Sequence, residues 1–252
     1  MNTIRKRWLI DAGNSRMKCA LLDAQGKRGE VIAIGHDQPE PMAALLDHIG
    51  RSGIGAEAWL ASVASVERTN AIVAALQEAG FAVFRVHARA QCGGLRIAYR
   101  QPESLGVDRF LALLAACGRN DGPWLIVSAG SALTVDLLGA DGVHVGGLIA
   151  PMPTQMRAVL ARQFAQLDLP EGHARDFADD SADAIASGAQ AAALGLVERS
   201  LRKAQERVGS MPTLLLTGGG AEFLHALEHP RTVSLPALVL DGMAAFVQDA
   251  ER

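Results

Sequence analysis

Trp8 to Asp23 reads WLIDAGNSRMKCALLD, and the reading of this stretch decides the fold. An apolar run, Trp8-Leu9-Ile10, delivers Asp11 to a tight turn at Ala12-Gly13-Asn14-Ser15. A second apolar run, Cys19-Ala20-Leu21-Leu22, returns from it. Two short apolar runs around a turn of small polar residues predict a β-hairpin with a carboxylate at its mouth. Gly13 allows backbone conformations closed to other residues. Asn14 and Ser15 bring short polar groups, so the turn can offer N–H and hydroxyl donors to a phosphate. Asp11 beside it would suit a hydrated divalent metal ion. The same residues would also serve an ordinary hairpin whose Asp caps its own turn.

A second copy separates these readings. Leu125 to Leu138, LIVSAGSALTVDLL, again runs strand, small-residue turn around Gly130 and strand, and it aligns with Ile10 to Leu22 with one gap. Two such hairpins about half a chain apart predict two similar domains facing one another across a nucleotide cleft. The arrangement resembles the acetate kinase, sugar kinase, Hsp70 and actin superfamily. That resemblance implies an α/β chain of two ribonuclease H-like domains, each a mixed sheet flanked by helices.

The composition permits this. The chain has 252 residues, 49% of them hydrophobic, enough for one large core or two modest ones. With 24 Lys and Arg against 27 Asp and Glu, the net charge is -3, so no global basic field exists to attract nucleic acid. The Arg5-Lys6-Arg7 cluster is followed by a run that Asp11 interrupts, and Gly122 to Val135 is too short and too rich in Gly and Ser to span a bilayer. A cytoplasmic protein with no membrane partner is expected. Three widely spaced cysteines, Cys19, Cys92 and Cys117, fit reduced thiols without assigned chemistry.

Along the chain, strands are expected at Val31–Ile34, Trp59–Val66, Phe81–Val86, Val143–Ile149 and Thr213–Thr217. Helices are expected at Pro41–Ile49, Thr69–Ala79, Thr154–Leu167, Ala182–Val208, Ala221–Leu227 and Asp241–Asp249. Strands alternating with helices argue for helix-flanked mixed sheets. A short hinge near Arg119 to Gly122 would divide the chain into domains 1-120 and 121-252.

The most specific chemistry lies in Tyr99 to Arg109, YRQPESLGVDR. Gly106 ends a loop, and Asp108-Arg109 opens a helix whose N-terminal partial charge favours an ionised Asp108. Such a carboxylate can take a hydroxyl proton during attack on a phosphoryl group. Arg109 can hold a substrate carboxylate through two parallel hydrogen bonds. Read alone, GVDR would equally suit an Asp that stabilises its own helix, with Arg109 on the solvated face.

DAGNS near the N-terminus, Tyr99 ahead of GVDR, a second hairpin ending in TVD, the GGLIAP segment and a late TGGG follow in the order of the type III pantothenate kinase family, which the chain resembles over nearly its whole length. The resemblance implies ATP-dependent phosphorylation of pantothenate, the first step of coenzyme A synthesis, by a homodimer using Mg2+ and a monovalent cation, K+ or NH4+. It implies that Asp108 is the general base and that Asp11 serves the divalent metal through water. Gly13, Asn14 and Ser15, with Gly130, Ser131 and Thr134, would line the phosphate turns, and Gly218 to Gly220, among them Gly219, would approach the adenosine. Tyr99, Gly106 and Arg109 would contact pantothenate, joined by Ser181 from the partner subunit, where the family usually has Thr. Gly146 and Gly147 would wall the cleft.

Two departures from the family pattern stand out. Its second turn normally begins with Asp followed by Gly-Thr, and here Ser128 and Ser131 occupy those positions. Ser128 removes a negative charge from a cation position, and Asp136 lies two residues beyond Thr134. GGLIAP is followed by Met152-Pro153 where Gly is usual, and Pro offers neither an N–H nor Gly's freedom. A superfamily phosphohydrolase, or a non-catalytic regulatory or binding relative, is the alternative. No GxxxxGK[ST] occurs, which removes P-loop chemistry. His225 and His229 lack an acidic partner for a metalloprotease motif.

Overall fold

The computed structural model describes residues 6–50, 56–119, 121–163 and 171–251. The chain forms two compact units. Unit 1 comprises Met1–Asp121, Gly142–His144 and Ala237–Arg252, and unit 2 comprises Gly122–Asp141 and Val145–Pro236.

In unit 1 the strands β1 (Arg7–Ala12), β2 (Arg16–Leu22), β3 (Ile32–Gly35), β4 (Glu57–Ser62) and β5 (Ala82–Arg85) form a mixed sheet in the order β3-β2-β1-β4-β5. The first hairpin is antiparallel and places Asp11 opposite Lys18, while β4 runs parallel to β1. Alternation along β1 splits its side chains by face. Trp8, Ile10 and Ala12 join the core with Leu45 and Ile49 of α1 (Pro41–Ile49) and Ile72 and Leu76 of α2 (Val66–Glu78). On the other face lie Leu9 and Asp11, toward α3 (Val107–Cys117) and α6 (Leu238–Ala250). A small hairpin, β6 (Gln91–Cys92) with β7 (Leu95–Arg96), precedes α3 and was not foreseen. Two residues per strand leave no periodicity to detect.

Unit 2 repeats the plan. β8 (Trp124–Ala129), β9 (Leu133–Leu138), β10 (His144–Ala150), β11 (Thr213–Thr217) and β12 (Thr232–Ser234) form a sheet in the order β10-β9-β8-β11-β12, the same order strand for strand. Leu125, Val127, Val135, Leu214 and Leu216 form one core face. The long helix α5 (Ser181–Val208) covers it with Ala193, Val197 and Ala204, while α4 (Pro153–Gln163) packs on α5. Ala-rich spacing thus has a use within the unit, since small side chains let α5 lie close to its own sheet. Two mixed sheets with helices agree with the expected fold class.

Several boundaries differ from expectation. The strand foreseen to Val66 ends at Ser62, because Ser65 caps α2: its Oγ accepts the Arg68 N–H at 3.3 Å. Ala221–Leu227 is a 3-10 helix over Ala221–Ala226, too short for the expected helix N-terminus to sum a useful dipole. Met152-Pro153 fits without strain: Pro153 opens α4, where a missing N–H costs nothing, and Gln155 Oε1 accepts the Met152 N–H at 2.9 Å. The foreseen end of α4 at Leu167, and Arg5 and Asn120 of the two flanking clusters, lie outside the described residues. The last helix, α6, packs on α3, β1 and β2 of unit 1 although it follows unit 2 in the chain.

The contact between α3 and α6 sets unit 1's second face. A Cβ on Gly242 would stand 2.0 Å from the Leu111 carbonyl oxygen, so the helices touch backbone to backbone. Gly242→Ala is expected to cost about 3 kcal/mol or more, because backbone must move on both helices. Denaturant unfolding at neutral pH measures it, and a loss under about 1 kcal/mol would show that the crossing yields.

Candidate active site

Unit 1 brings four of the foreseen residues into two adjoining pairs. Asp11, at the end of β1, is half-buried between the Lys18 backbone partner on β2 and Ala61 on β4. Burial pushes its carboxyl up from 3.8 to about 7. The Lys18 ammonium pulls it back down, and the Asp108 carboxylate raises it further. Burial also lowers the Lys18 ammonium below its usual value, opposed by Asp11 and reinforced by Arg16. Asp11, Lys18 and Asp108 are therefore one electrostatic group.

Asp108 stands in the first turn of α3, and its Oδ1 accepts the Arg109 N–H at 2.8 Å, so it does stabilise its own helix. A carboxylate has more acceptor positions than this one N–H uses. Gly106 precedes the helix; a Cβ there would meet Asp108 Oδ1 at 2.8 Å, so this glycine makes room for the carboxylate. The solvated alternative for Arg109 fails, because the residue is only 6% exposed. Its Nη1 donates to the Tyr99 hydroxyl at 2.9 Å, and Tyr99 stacks on the fully buried His144 with ring centroids 5.7 Å apart. Tyr99 and Arg109 thus form a rigid pair beside Asp108.

The first turn is open on one side. The Gly13 N–H donates to the Arg16 carbonyl at 3.0 Å. Asn14 and Ser15 are exposed, and among the described residues the Asn14 N–H and side-chain amide donate to nothing.

Unit 2 assembles a different set. Ser128 pairs with Thr134 across the second hairpin and with Thr217 on the other side, so three hydroxyl-bearing residues share one face at the strand tips. Asp136 lies on that face one pleat repeat back, opposite Ile126, and is 3% exposed. It does not reach the tip. Gly130 and Ser131 form the exposed turn. Gly218 has φ +92° and would place a Cβ 2.4 Å from the Ala129 carbonyl oxygen, which also accepts the Gly220 N–H at 2.9 Å. The TGGG run is thereby built onto the second turn, with Gly219 exposed. Gly146 and Gly147 lie on β10, and Ser181 is exposed at the first position of α5.

Lys18 and His144 were missed by sequence reading. Lys18 escaped because a turn at Ala12–Ser15 would put position 16 opposite Asp11, whereas Ala12 pairs with Met17 and the turn spans residues 13–16, which brings Lys18 there instead. His144 had no signal. Burial raises the Cys19 thiol to about 11, and burial with Asp249 nearby raises Cys92 to about 12, which keeps both as thiols. Among the described residues no group of three or more His, Cys, Asp or Glu is arranged to hold a metal.

Two copies of one mixed sheet, each with a hairpin turn at the tip of its first strand, make a two-unit actin-like α/β fold. Solved structures agree on the fold. A Campylobacter jejuni protein described as a Baf-family transcriptional activator superposes with a TM-score of 0.60 at 18% identity, covering 97% of this chain and 98% of its own. An archaeal actin homologue gives 0.53 at 12% identity over 96% and 99%. Within that class the chain belongs to the type III pantothenate kinase family, whose profile matches residues 8–203. A type III pantothenate kinase of Stenotrophomonas maltophilia is 48% identical over 240 residues, 95% of this chain and 96% of the relative.

The raised Asp11 predicts a pH dependence. A carboxyl that titrates near 7 folded and near 3.8 unfolded holds extra protons in the folded state between those values. Its stabilising contribution is complete below pH about 4 and is lost as pH rises through 7. Unfolding free energies of the ligand-free protein should therefore fall by about 2 kcal/mol more between pH 5 and 8 than those of Asp11→Asn, allowing for partial exposure. Parallel pH profiles would place Asp11 in the ordinary carboxylate range.

Proposed function

We propose that the chain carries out its family's reaction, ATP-dependent phosphorylation of pantothenate to 4'-phosphopantothenate, opening coenzyme A synthesis in the cytoplasm, and that the residues of unit 1 do the acid–base work. The observation that carries this reading is the grouping of Asp11, Lys18 and Asp108 beside the Tyr99–Arg109 pair, within a chain of this family. Asp108 takes the proton from the pantothenate hydroxyl as its oxygen bonds to the γ-phosphorus and the bond to the ADP oxygen breaks. Arg109, steadied by Tyr99, holds the pantothenate carboxylate with its guanidinium. Lys18 balances charge beside Asp11 and faces the negative phosphates. Gly13, Asn14 and Ser15 supply donors from the first turn, Gly130, Ser131 and Thr134 from the second, and Gly218 and Gly219 leave backbone open to the adenosine.

A divalent metal fits Asp11. Mg2+ in nucleotide sites is held by one or two carboxylates together with phosphates and water, so a three-ligand protein cage is not required. A cation would also keep ionised a carboxyl that burial otherwise protonates. For K+ or NH4+, Ser128, Thr134 and Thr217 offer neutral oxygens in place of the family's carboxylate. No helix among the described residues is long and apolar enough to cross a membrane.

Two outcomes test this reading. ADP release should require both pantothenate and Mg2+ and rise with K+ or NH4+. Asp108→Asn should keep the fold and lower turnover by roughly two to four decades. Equal ATP hydrolysis without pantothenate would instead favour a phosphohydrolase.

A third outcome concerns assembly, for which we take a homodimer with Ser181 reaching the partner's pantothenate. On α5 the residues Ala184, Gly188, Ala192 and Gly195 are exposed, and a Cβ on either glycine would meet nothing within 4 Å. Phe177, just ahead of Ser181, is 97% exposed. Sedimentation should find a dimer, and Gly188→Leu should yield monomers with little activity. An active monomer would exclude a shared site.

A further inference from the structure

Four consecutive carbonyl oxygens at the first turn each accept a hydrogen bond from unit 1. Ala12 O takes the Val63 N–H at 3.1 Å, and Ser15 O takes the His36 N–H at 3.0 Å. Between them, Gly13 O takes His36 Nε2 at 2.9 Å and Asn14 O takes Arg68 Nη1 at 3.0 Å. A peptide unit is planar and trans, so its C=O and the following N–H point in opposite directions. Pinning the Gly13 and Asn14 carbonyls therefore also fixes where the N–H groups of Asn14 and Ser15 point, which is away from His36 and Arg68.

We propose that His36 and Arg68 are positioning residues that orient the Asn14 and Ser15 N–H groups toward the ATP phosphates. This rests on the reading of the turn as a phosphate site. Both side chains are rooted in regular structure. His36 follows β3, where Gly35 pairs with Arg16 at the start of β2. Arg68 lies in the first turn of α2, whose start is tied to the end of β4 by the 2.8 Å bond between Ser62 Oγ and Thr69 Oγ1. A turn left to itself would sample peptide flips that aim carbonyl oxygens at the phosphates, and like-signed partial charges would repel. With the carbonyls held, the donors are set before the ligand arrives. His36 keeps its proton on Nε2, the only arrangement in which that nitrogen donates to a carbonyl.

The test compares KM for MgATP with KM for pantothenate. His36→Phe keeps a ring without a donor, and Arg68→Ala removes the second brace from an exposed position. Each should raise KM for MgATP about 5- to 30-fold while KM for pantothenate stays within about twofold. His36→Gln, whose amide donates at similar reach, should recover most of the loss. Arg68→Gln separates bracing from simple charge attraction, recovering activity only if the hydrogen bond matters. If His36→Phe does not fold, His36→Gln and Arg68→Ala carry the comparison. Variants that shift both KM values equally, or lower only the melting temperature, would overturn the proposal. A wild-type protein that binds no MgATP would overturn the phosphate reading and the brace with it.

Discussion

The half-buried pairing of Asp11 with Lys18 across the first hairpin is the constraint around which unit 1 is arranged. Burying either charge alone would be costly, and pairing them in one antiparallel register offsets part of that cost. The register also serves packing: with Asp11 turned to one face, Trp8, Ile10 and Ala12 are turned to the other, where α1 and α2 cover them. A one-residue slip would bury the charges among α1 and α2 and take Ile10 out of that core. Chemistry and core are thus fixed by the same alternation. Because β4 runs parallel to β1, its exit at Ser62–Ser65 comes out beside the turn, which is how Val63 and Arg68 reach the turn's carbonyls.

Much of this was legible in the sequence, for physical reasons that differ by element. The two hairpins were readable because period-two alternation flanks small-residue turns. Pro41–Ile49 and Thr213–Thr217 were readable to the residue, the first from Pro at its start and apolar spacing, the second as a continuous apolar run. The β4–α2 boundary was not, since Val63-Ala64-Ser65-Val66 suits a strand until Ser65 is seen to cap the helix. The very short β6, β7 and β12 carry too few residues for any period. The packing of α6 onto unit 1 depends on Gly242 meeting Leu111, a contact between positions far apart in the chain that no local pattern encodes.

For the site, residue types were legible and their environments were not. GVDR admitted a solvated Arg109, and only burial together with the Tyr99 bond removes that reading. Asp108 stabilises the first turn of α3 with one oxygen and lies close enough to raise Asp11. That contact is compatible with the proposed role as base, because a carboxylate has more acceptor positions than one N–H can use. His36 and Arg68 escaped notice because their contacts are to main-chain oxygens, which have no sequence signature.

The two hairpins show how far a duplicated fold can diverge in charge without diverging in shape. Strand order is the same, yet Asp11 opposite Lys18 becomes Ser128 opposite Thr134. Replacing a charged pair with two hydroxyl residues removes a desolvation cost in unit 2 while keeping short polar groups at the tip. Asp136 cannot restore the charge, since one pleat repeat places it roughly 7 Å farther along the strand. It is also sealed at 3% exposure. The titratable groups that could answer a phosphoryl transfer are therefore gathered in unit 1, with hydroxyls and open backbone left to unit 2. On the proposed assignment, losing the second carboxylate weakens a neutralising position and leaves the proposed proton-handling groups of unit 1 whole, which is how a chain with Ser128 can remain in a family of kinases.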